Sequence, residues 1–168
     1  MTEQLSRLLS AMVDYDRADP RRIHHFIKVH DFAAAIAALE GLDAETTFVL
    51  ESAALLHDIG IHASEAKYGD THGKHQEELG PPEAERLLHQ VGGYTDAQIA
   101  RITFLIGHHH TYTGVDGPDW QILLEADFLV NSYEDNLKPD AVARFAHAVF
   151  RTHSGLRLLG DMWGINLC

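Results

Sequence analysis

Histidine is the residue type in this chain that is best suited to chemistry. The sequence contains 13 histidines among 168 residues, and they occur in clusters. Neutral imidazole is the commonest side-chain ligand of first-row metals, so this clustering predicts a metal site. The alternatives are solvated surface histidines or a tag-like tract, and a terminal tag is excluded because the triple histidine is internal. The clusters are His24-His25, His57-Asp58, His62 with His72 and His75, and His108-His109-His110.

A carboxylate also lies within an apolar segment. Asp127 falls in the stretch ILLEADFLV, where Leu123, Asp127 and Val130 repeat at the i, i+4, i+7 spacing of one helix face. An ionised carboxylate that is buried without a partner costs several kcal/mol, so we expect Asp127 to be paired, hydrogen-bonded or bound to a cation. A helix cap or a buried salt bridge is the alternative to metal binding.

The pair His57-Asp58 stands at the end of another apolar helix pattern. Leu50, Ala53 and His57 share a stripe at i, i+3, i+7, which carries the imidazole to the inner face of the helix. Adjacent residues of an ideal helix point about 100° apart, so both side chains can approach one ion only where the helix breaks. Gly60 predicts that break.

Two further histidines fall on apolar stripes. His25 heads the stripe of the second predicted helix, with His24 and His30 as competitors for the inward position. His109 extends the apolar face of a later helix by one i+3 step from Ile106. Four separate helices can therefore each send a metal-binding type of side chain inward.

The spacing of apolar residues and caps predicts seven helices and no strand. Asp19-Pro20, Asp43 and Thr95 are typical of helix starts, and Gly41 is typical of a helix end. The stretch from Gly60 to Gly80 has little periodicity and is predicted as a long loop. We expect an all-α, single-domain helical bundle. The predicted helices lie near residues 5–13, 20–39, 44–58, 81–91, 96–109, 119–135 and 140–152.

Composition limits the classes of partner. The formal net charge is −12 at pH 7 with no run of Lys or Arg, which argues against binding of a nucleic-acid polymer. The longest apolar run, residues 32–39, is too short to span a membrane, and no basic signal-peptide start is visible, so a cytoplasmic location is expected. The single cysteine, Cys168, excludes an internal disulfide framework or a thiolate metal cluster.

Three of these elements together resemble the HD-domain metal-dependent phosphohydrolase superfamily. They are H-x-x-K-V from His25 to Val29, LLHDIG from Leu55 to Gly60, and the aspartate of EAD, Asp127. His25 and His57 are 32 residues apart, a separation in the range that this family uses. The resemblance covers about residues 21–135, with helical additions on both sides. Within the superfamily, the chain resembles small stand-alone bacterial members. The resemblance implies a single HD domain over residues 1–168.

The resemblance also implies site residues. His109 and His110 are similar to a histidine pair that some members use for a second metal or for substrate phosphate, and His75 would complete a binuclear site. A lysine often follows HDIG in relatives, but Ile61 stands there in this chain, so Lys67 or Lys74 would have to replace it. The implied primary metal ligands are His25, His57, Asp58 and Asp127.

The implied activity is hydrolysis of a nucleotide or another small phosphorylated metabolite by a metal-activated water. The implied ligands are histidines and carboxylates, with no cysteine. Such a set favours one or two ions of Mn, Fe, Co or Mg over Zn. Asp58 would also orient the water, and Glu65 is the candidate general base. One alternative is a di-iron oxygenase, which needs a second metal shell from His75 or His89 with His109.

Two further hypotheses remain open. A non-catalytic module that only senses a ligand would need a degenerate site, and the presence of all four family ligands counts against it. The apolar C-terminal segment 162–168 packs either on the bundle or on a partner, so a homodimer is also considered.

Overall fold

The computed structural model describes residues 1–167 and contains only helices in that range. The predicted all-α fold is therefore confirmed. Cys168 lies outside the described residues, but Trp163, Ile165 and Leu167 of the C-terminal segment pack on the bundle, one of the two alternatives considered for it. The helices are α1 Glu3–Tyr15, α2 Pro20–Glu40, α3 Ala44–Leu56, α4 Ile61–Tyr68, α5 Gly73–Val91, α6 Asp96–Ile106, α7 Pro118–Glu134, α8 Pro139–Val149 and α9 His153–Trp163.

The predicted caps begin and end several of these helices. The Asp19 carboxylate accepts a hydrogen bond from the backbone of Arg22, directly before Pro20 in the first helical position. Thr95 and Gln98 form a complete capping box at the start of α6. Gly41 ends α2 with a φ of 74°, a left-handed conformation that glycine adopts without strain.

The prediction of a long loop from Gly60 to Gly80 is wrong. The segment forms α4 and the first half of α5, and Pro81 and Pro82 lie inside α5 instead of at its start. A tertiary contact explains the difference, because a Cβ placed on Gly60 would lie 2.7 Å from the backbone oxygen of Gln76 and 2.8 Å from the nitrogen of Gly80. This backbone packing offsets the cost of two prolines within a helix, about 3 kcal/mol each in an ordinary helix interior.

The last helix, α9, is also absent from the sequence-based prediction. Its start is fixed by Glu125 of α7, whose carboxylate is fully buried. The carboxylate accepts hydrogen bonds from the backbone nitrogens of Arg151 and Thr152 at 2.7 and 3.0 Å and from the Thr152 hydroxyl. Thr152 in turn caps α9 through its side chain. A long-range contact therefore begins this helix, which explains why local periodicity did not indicate it.

Helix α2 lies at the centre of the bundle and packs extensively against α3 and α7. The fully buried side chains of these three helices include Ile36, Leu50 and Leu123. This packing holds together the three chain segments that carry His25, the His57-Asp58 pair and Asp127. No helix within the described part of the chain is sufficiently long and apolar to cross a membrane.

Candidate metal centre

The structure brings the four predicted primary ligands together from the first turns of α2, the end of α3 and the middle of α7. The Nε2 atoms of His25 and His57 are 3.2 Å apart. Asp127 Oδ1 lies 3.3 Å from the first imidazole and 3.5 Å from the second. Asp58 Oδ2 is 3.5 Å from both. Two imidazoles and two carboxylates thus converge on one small volume.

The side chains of His57 and Asp58 can both reach this volume because α3 ends at Leu56, directly before the pair. His57 is the C-cap of the helix, and the following turn is closed by hydrogen bonds from Ile59 to Leu56 and from Ile61 to Asp58. The chain therefore turns at the pair, which brings together two neighbouring side chains that a continuous helix would separate.

Three histidines are held with the same ring nitrogen facing inward. Nδ1 of His57 lies 2.8 Å from the backbone oxygen of Ala54, and Nδ1 of His109 lies 2.6 Å from that of Ile106. Nδ1 of His25 lies 3.0 Å from a carboxylate oxygen of Glu134. Because a neutral imidazole carries one N–H, these acceptors assign it to Nδ1 and leave the Nε2 lone pair free. Metal-binding histidines are oriented in this way.

The carboxylates set the protonation of the cluster. Burial alone would lower the pKa of His57, but the charge of Asp58 and the hydrogen bond to Asp127 raise it to about 9. Burial would raise the pKa of Asp127, but its hydrogen bonds with His25 and His57 hold it well below its usual range. The carboxylates therefore stay ionised, and their charge is balanced by a proton on the imidazoles or by a cation.

A second group of donors shares Asp58. Its Oδ1 lies 3.5 Å from Nε2 of His109, and His110 completes a set whose ligand atoms all lie within 4.8 Å of one another. His109 is 1% exposed, and its Nε2 has no hydrogen-bond partner among residues 1–167. Burial and the neighbouring His109 lower the pKa of His110 to about 4, so its ring is neutral. The histidine pair predicted for a second ion or for substrate is therefore at the site.

This donor set fits a divalent cation. Around a six-coordinate ion with bonds of about 2.1 Å, adjacent donor atoms stand about 3 Å apart, close to the 3.2–3.5 Å found here. An unpartnered buried nitrogen such as Nε2 of His109 costs about 1–3 kcal/mol, a penalty that a cation would remove. The described side chains can thus hold a metal ion in the first group and offer a second position beside it.

Several other predicted site residues lie elsewhere. The ring of His75 stacks on Tyr68 with its Nδ1 2.8 Å from Asp70, because this segment is helical and not a loop. His89 is exposed, 3.8 Å from Glu85. The expectation that His75 completes a second metal shell is therefore not met by this arrangement.

The remaining two candidates are also outside the cluster. The side chain of Lys74 is exposed in the first turn of α5. The carboxylate of Glu65 is 2.6 Å from Arg22 and belongs to neither group of candidate metal donors. Its role as general base stays a prediction.

Sequence reasoning missed two polar residues of α7 that support the ligands. Asn131 donates a hydrogen bond of 2.8 Å to Asp127, and Glu134 pairs with both His25 and Lys28. Asp127, Asn131 and Glu134 follow one another at i, i+4 and i+7 of α7, a pattern visible in the sequence. The pair between Lys28 and Glu134 also accounts for the lysine of the H-x-x-K-V element.

The two groups of donors open into a cleft of about 460 Å³. His25, Asp58 and His110 lie on its surface. Arg21 and Arg22 line it as well. The lining also includes the carboxylates of Asp19, Glu134 and Asp135, so the cleft joins the candidate metal ligands to a wall that carries both charges.

The choice between His24 and His25 can be tested directly. His25 is buried and faces the cluster, whereas His24 is exposed one position earlier on α2. We expect His25→Ala to reduce metal content and to lower metal-dependent turnover by about 100-fold or more, because a ligand is lost. His24→Ala is the matched control, and its metal content and turnover are expected to stay within about threefold of the wild-type values. A larger effect at His24 would mean that the register of α2 is wrong.

Comparison with known proteins agrees with this architecture. No protein-family model matches the chain, and neither does any curated protein. A crystal structure described as a predicted HD superfamily hydrolase, from an uncultured Thermotogales bacterium, is similar to it with a TM-score of 0.63. The two sequences are 30% identical, and the match covers 96% of this chain and 84% of that one. With that identity over nearly its whole length, the protein belongs to the HD superfamily.

Proposed function

We propose that the protein is a metal-dependent phosphohydrolase acting on a nucleotide or another small phosphorylated metabolite. The observation that carries the proposal is the convergence of three imidazole Nε2 atoms and two carboxylates at a cleft with arginines in its wall. The likeness to a predicted HD superfamily hydrolase supports the hydrolase class. The substrate class is our inference from the arginines beside the candidate metal ligands and from the size of the cleft.

The chain supplies the holding and orienting groups. His25, His57, Asp58 and Asp127 would hold the first ion, and His109 with His110 would flank a second beside Asp58. When bound, a divalent cation lowers the pKa of a water and stabilises negative charge on phosphoryl oxygens. Asp58 is the most accessible of the four primary ligands, so its carboxylate can also accept a hydrogen bond from the attacking water.

The surroundings favour a small anionic substrate. A cleft of about 460 Å³ is within the range of small-molecule sites. The net charge of −12 disfavours a polyanion such as RNA or DNA, which would meet an acidic surface far beyond the cleft. Oxygen and nitrogen donors that leave positions open favour Mn, Fe, Co or Mg over a closed zinc site.

The second candidate function is oxidation at a di-iron site. The donor group of Asp58, His109 and His110 favours a second ion, which an oxygenase would need. The positions of His75 and His89, away from this group, count against the fuller shell that was expected. A purely ligand-sensing module is disfavoured, because the four family ligands converge.

Metal removal and reloading test the proposal. Protein stripped with a chelator is expected to hydrolyse p-nitrophenyl phosphate and a panel of nucleotides at less than about 1% of the reloaded rate, because the ion activates the water. Adding Mn²⁺ should restore turnover, and metal content per chain gives the number of ions. Oxygen uptake with Fe²⁺ and no phosphate release would favour the oxygenase. Stoichiometric metal without either activity would contradict both enzymes.

A further inference from the structure

The cationic side chains that line the cleft, among several carboxylates, are not the lysines expected to meet phosphate. Lys67 is exposed and pairs with Glu78 at 2.9 Å, and Lys74 is exposed outside the cleft. Ile61 lines the cleft in the position that follows HDIG. Among residues 1–167 the Lys and Arg side chains that line it are Arg21 and Arg22. Besides a bound cation, the positive groups that can meet a substrate phosphate in this cleft are therefore these two arginines.

Of these two, Arg22 is held in place by the protein. Its Nη2 lies 2.6 Å from Glu65, its Nε 3.3 Å from Asp19 and its Nη1 3.0 Å from Nδ1 of His62. The His62 ring is itself fixed by Asp16, 2.8 Å from Nε2. The side chain of Arg22 is only 20% exposed, whereas Arg21 is exposed to solvent.

A guanidinium held in this way is ready to bind an anion. It carries five N–H groups, and the three contacts use at most three of them. Its orientation is already fixed, so less side-chain entropy is lost on binding than for a free arginine. Arg22 also stands three residues before His25 on α2, which places it on the same side of the cleft as a candidate metal ligand. Arginine–phosphate contacts of this kind are strong and directional.

We infer that Arg22 binds the phosphate of the substrate and that Glu65 and Asp19 are positioning residues for its guanidinium. This rests on the proposed function, because it names the group that would recognise the substrate at that site. It also gives Glu65 a role different from general base. Its carboxylate contacts Arg22 instead of the metal-binding cluster.

The test measures binding of inorganic phosphate by calorimetry to metal-loaded protein, alongside the steady-state constants for p-nitrophenyl phosphate. Arg22→Gln is expected to weaken phosphate binding and to raise KM by about 10- to 100-fold with unchanged metal content. Arg22→Lys keeps the positive charge but lacks the forked N–H donors of arginine, so we expect at least a threefold loss of phosphate affinity. Arg17→Gln, an exposed arginine paired with Asp14, is the matched control.

Glu65→Gln separates the two roles of Glu65. If Glu65 is a positioning residue, the substitution should raise KM about threefold and leave kcat nearly unchanged. A general base should instead lower kcat about 100-fold, with loss of one limb of the pH–rate profile, and that result would overturn its assignment.

Phosphate binding distinguishes failure of this inference from failure of the proposed function. If the wild type hydrolyses no phosphoester but binds phosphate through Arg22, the proposed function fails and the anion site stands. Equal phosphate binding by wild type and Arg22→Gln would overturn the site, whatever the activity. An effect of Arg21→Gln as large as that of Arg22→Gln would also overturn it.

Discussion

Replacing Asp127 with alanine is expected to release the metal and to lower turnover by about 1000-fold or more. Its carboxylate lies within 3.5 Å of two imidazoles, so the substitution removes a ligand and the negative charge that favours a cation there. The helices should persist, because the polar contacts of the side chain are with the cluster and with Asn131. Metal content by mass spectrometry, phosphatase rate and circular dichroism together check this result.

A matched aspartate separates the local effect from a general one. Asp140→Ala changes an exposed aspartate in the first turn of α8 and should leave metal content and rate within about twofold. Unchanged metal occupancy in the Asp127→Ala protein would reject Asp127 as a ligand. Loss of helicity in that protein would show instead that its carboxylate is needed for folding.

Among the substitutions proposed for this protein, Glu125→Ala should lower the free energy of unfolding the most. Its carboxylate is fully buried and accepts hydrogen bonds from the backbone of Arg151 and Thr152 and from the side chain of Gln121. Alanine would leave those buried donors without a partner, and we expect the free energy of unfolding to fall by about 3 kcal/mol or more. For a chain of this length, that corresponds to a drop in Tm of roughly 6–12 °C.

Two variants give this prediction its controls. Glu125→Gln keeps an acceptor oxygen and should cost about 1 kcal/mol. Glu85→Ala, at an exposed position of α5, should change stability by less than about 0.5 kcal/mol. Metal binding should survive in folded Glu125→Ala protein, because residues two apart on a helix point about 200° from each other. A Tm within 2 °C of wild type would contradict the role of Glu125.

Local signals in the sequence predicted most of the helices and their caps. Asp19-Pro20, Asp43 and Thr95 start α2, α3 and α6 because their side chains bind the first free backbone N–H groups, an interaction that involves only neighbouring residues. Helical spacing also predicted that His25 heads the apolar stripe of α2, but it left His24 and His30 as competitors, and the family resemblance chose between them.

The parts that the sequence did not predict depend on contacts between distant residues. The helices formed by residues 61–68 and 73–91 accompany a close approach of Gly60 to Gly80, a contact between distant residues that local sequence signals do not indicate. The outward position of His75 is a consequence of the second of these helices. Glu125 and Asp127 look alike in the stretch EAD, since α7 is buried on most of its circumference and periodicity cannot tell which partner each carboxylate meets. Helical spacing placed Asp127 on an apolar face without indicating that Glu125 is buried as well, and the family resemblance implied the metal-binding role of Asp127.

The attachment of α9 matters for anyone who shortens this chain. Beyond the bonds to Glu125, the backbone of Ser154 donates to Glu40 at 2.8 Å and the indole of Trp163 donates to Ser132 at 3.2 Å. The last helix thus braces both α2 and α7, the helices that bear His25 and Asp127. A fragment trimmed to the motif-bearing stretch 21–135 would lose this brace and the hydrogen bonds that Arg151 and Thr152 donate to Glu125. Deletion and tagging experiments should therefore keep residues 150–163 intact.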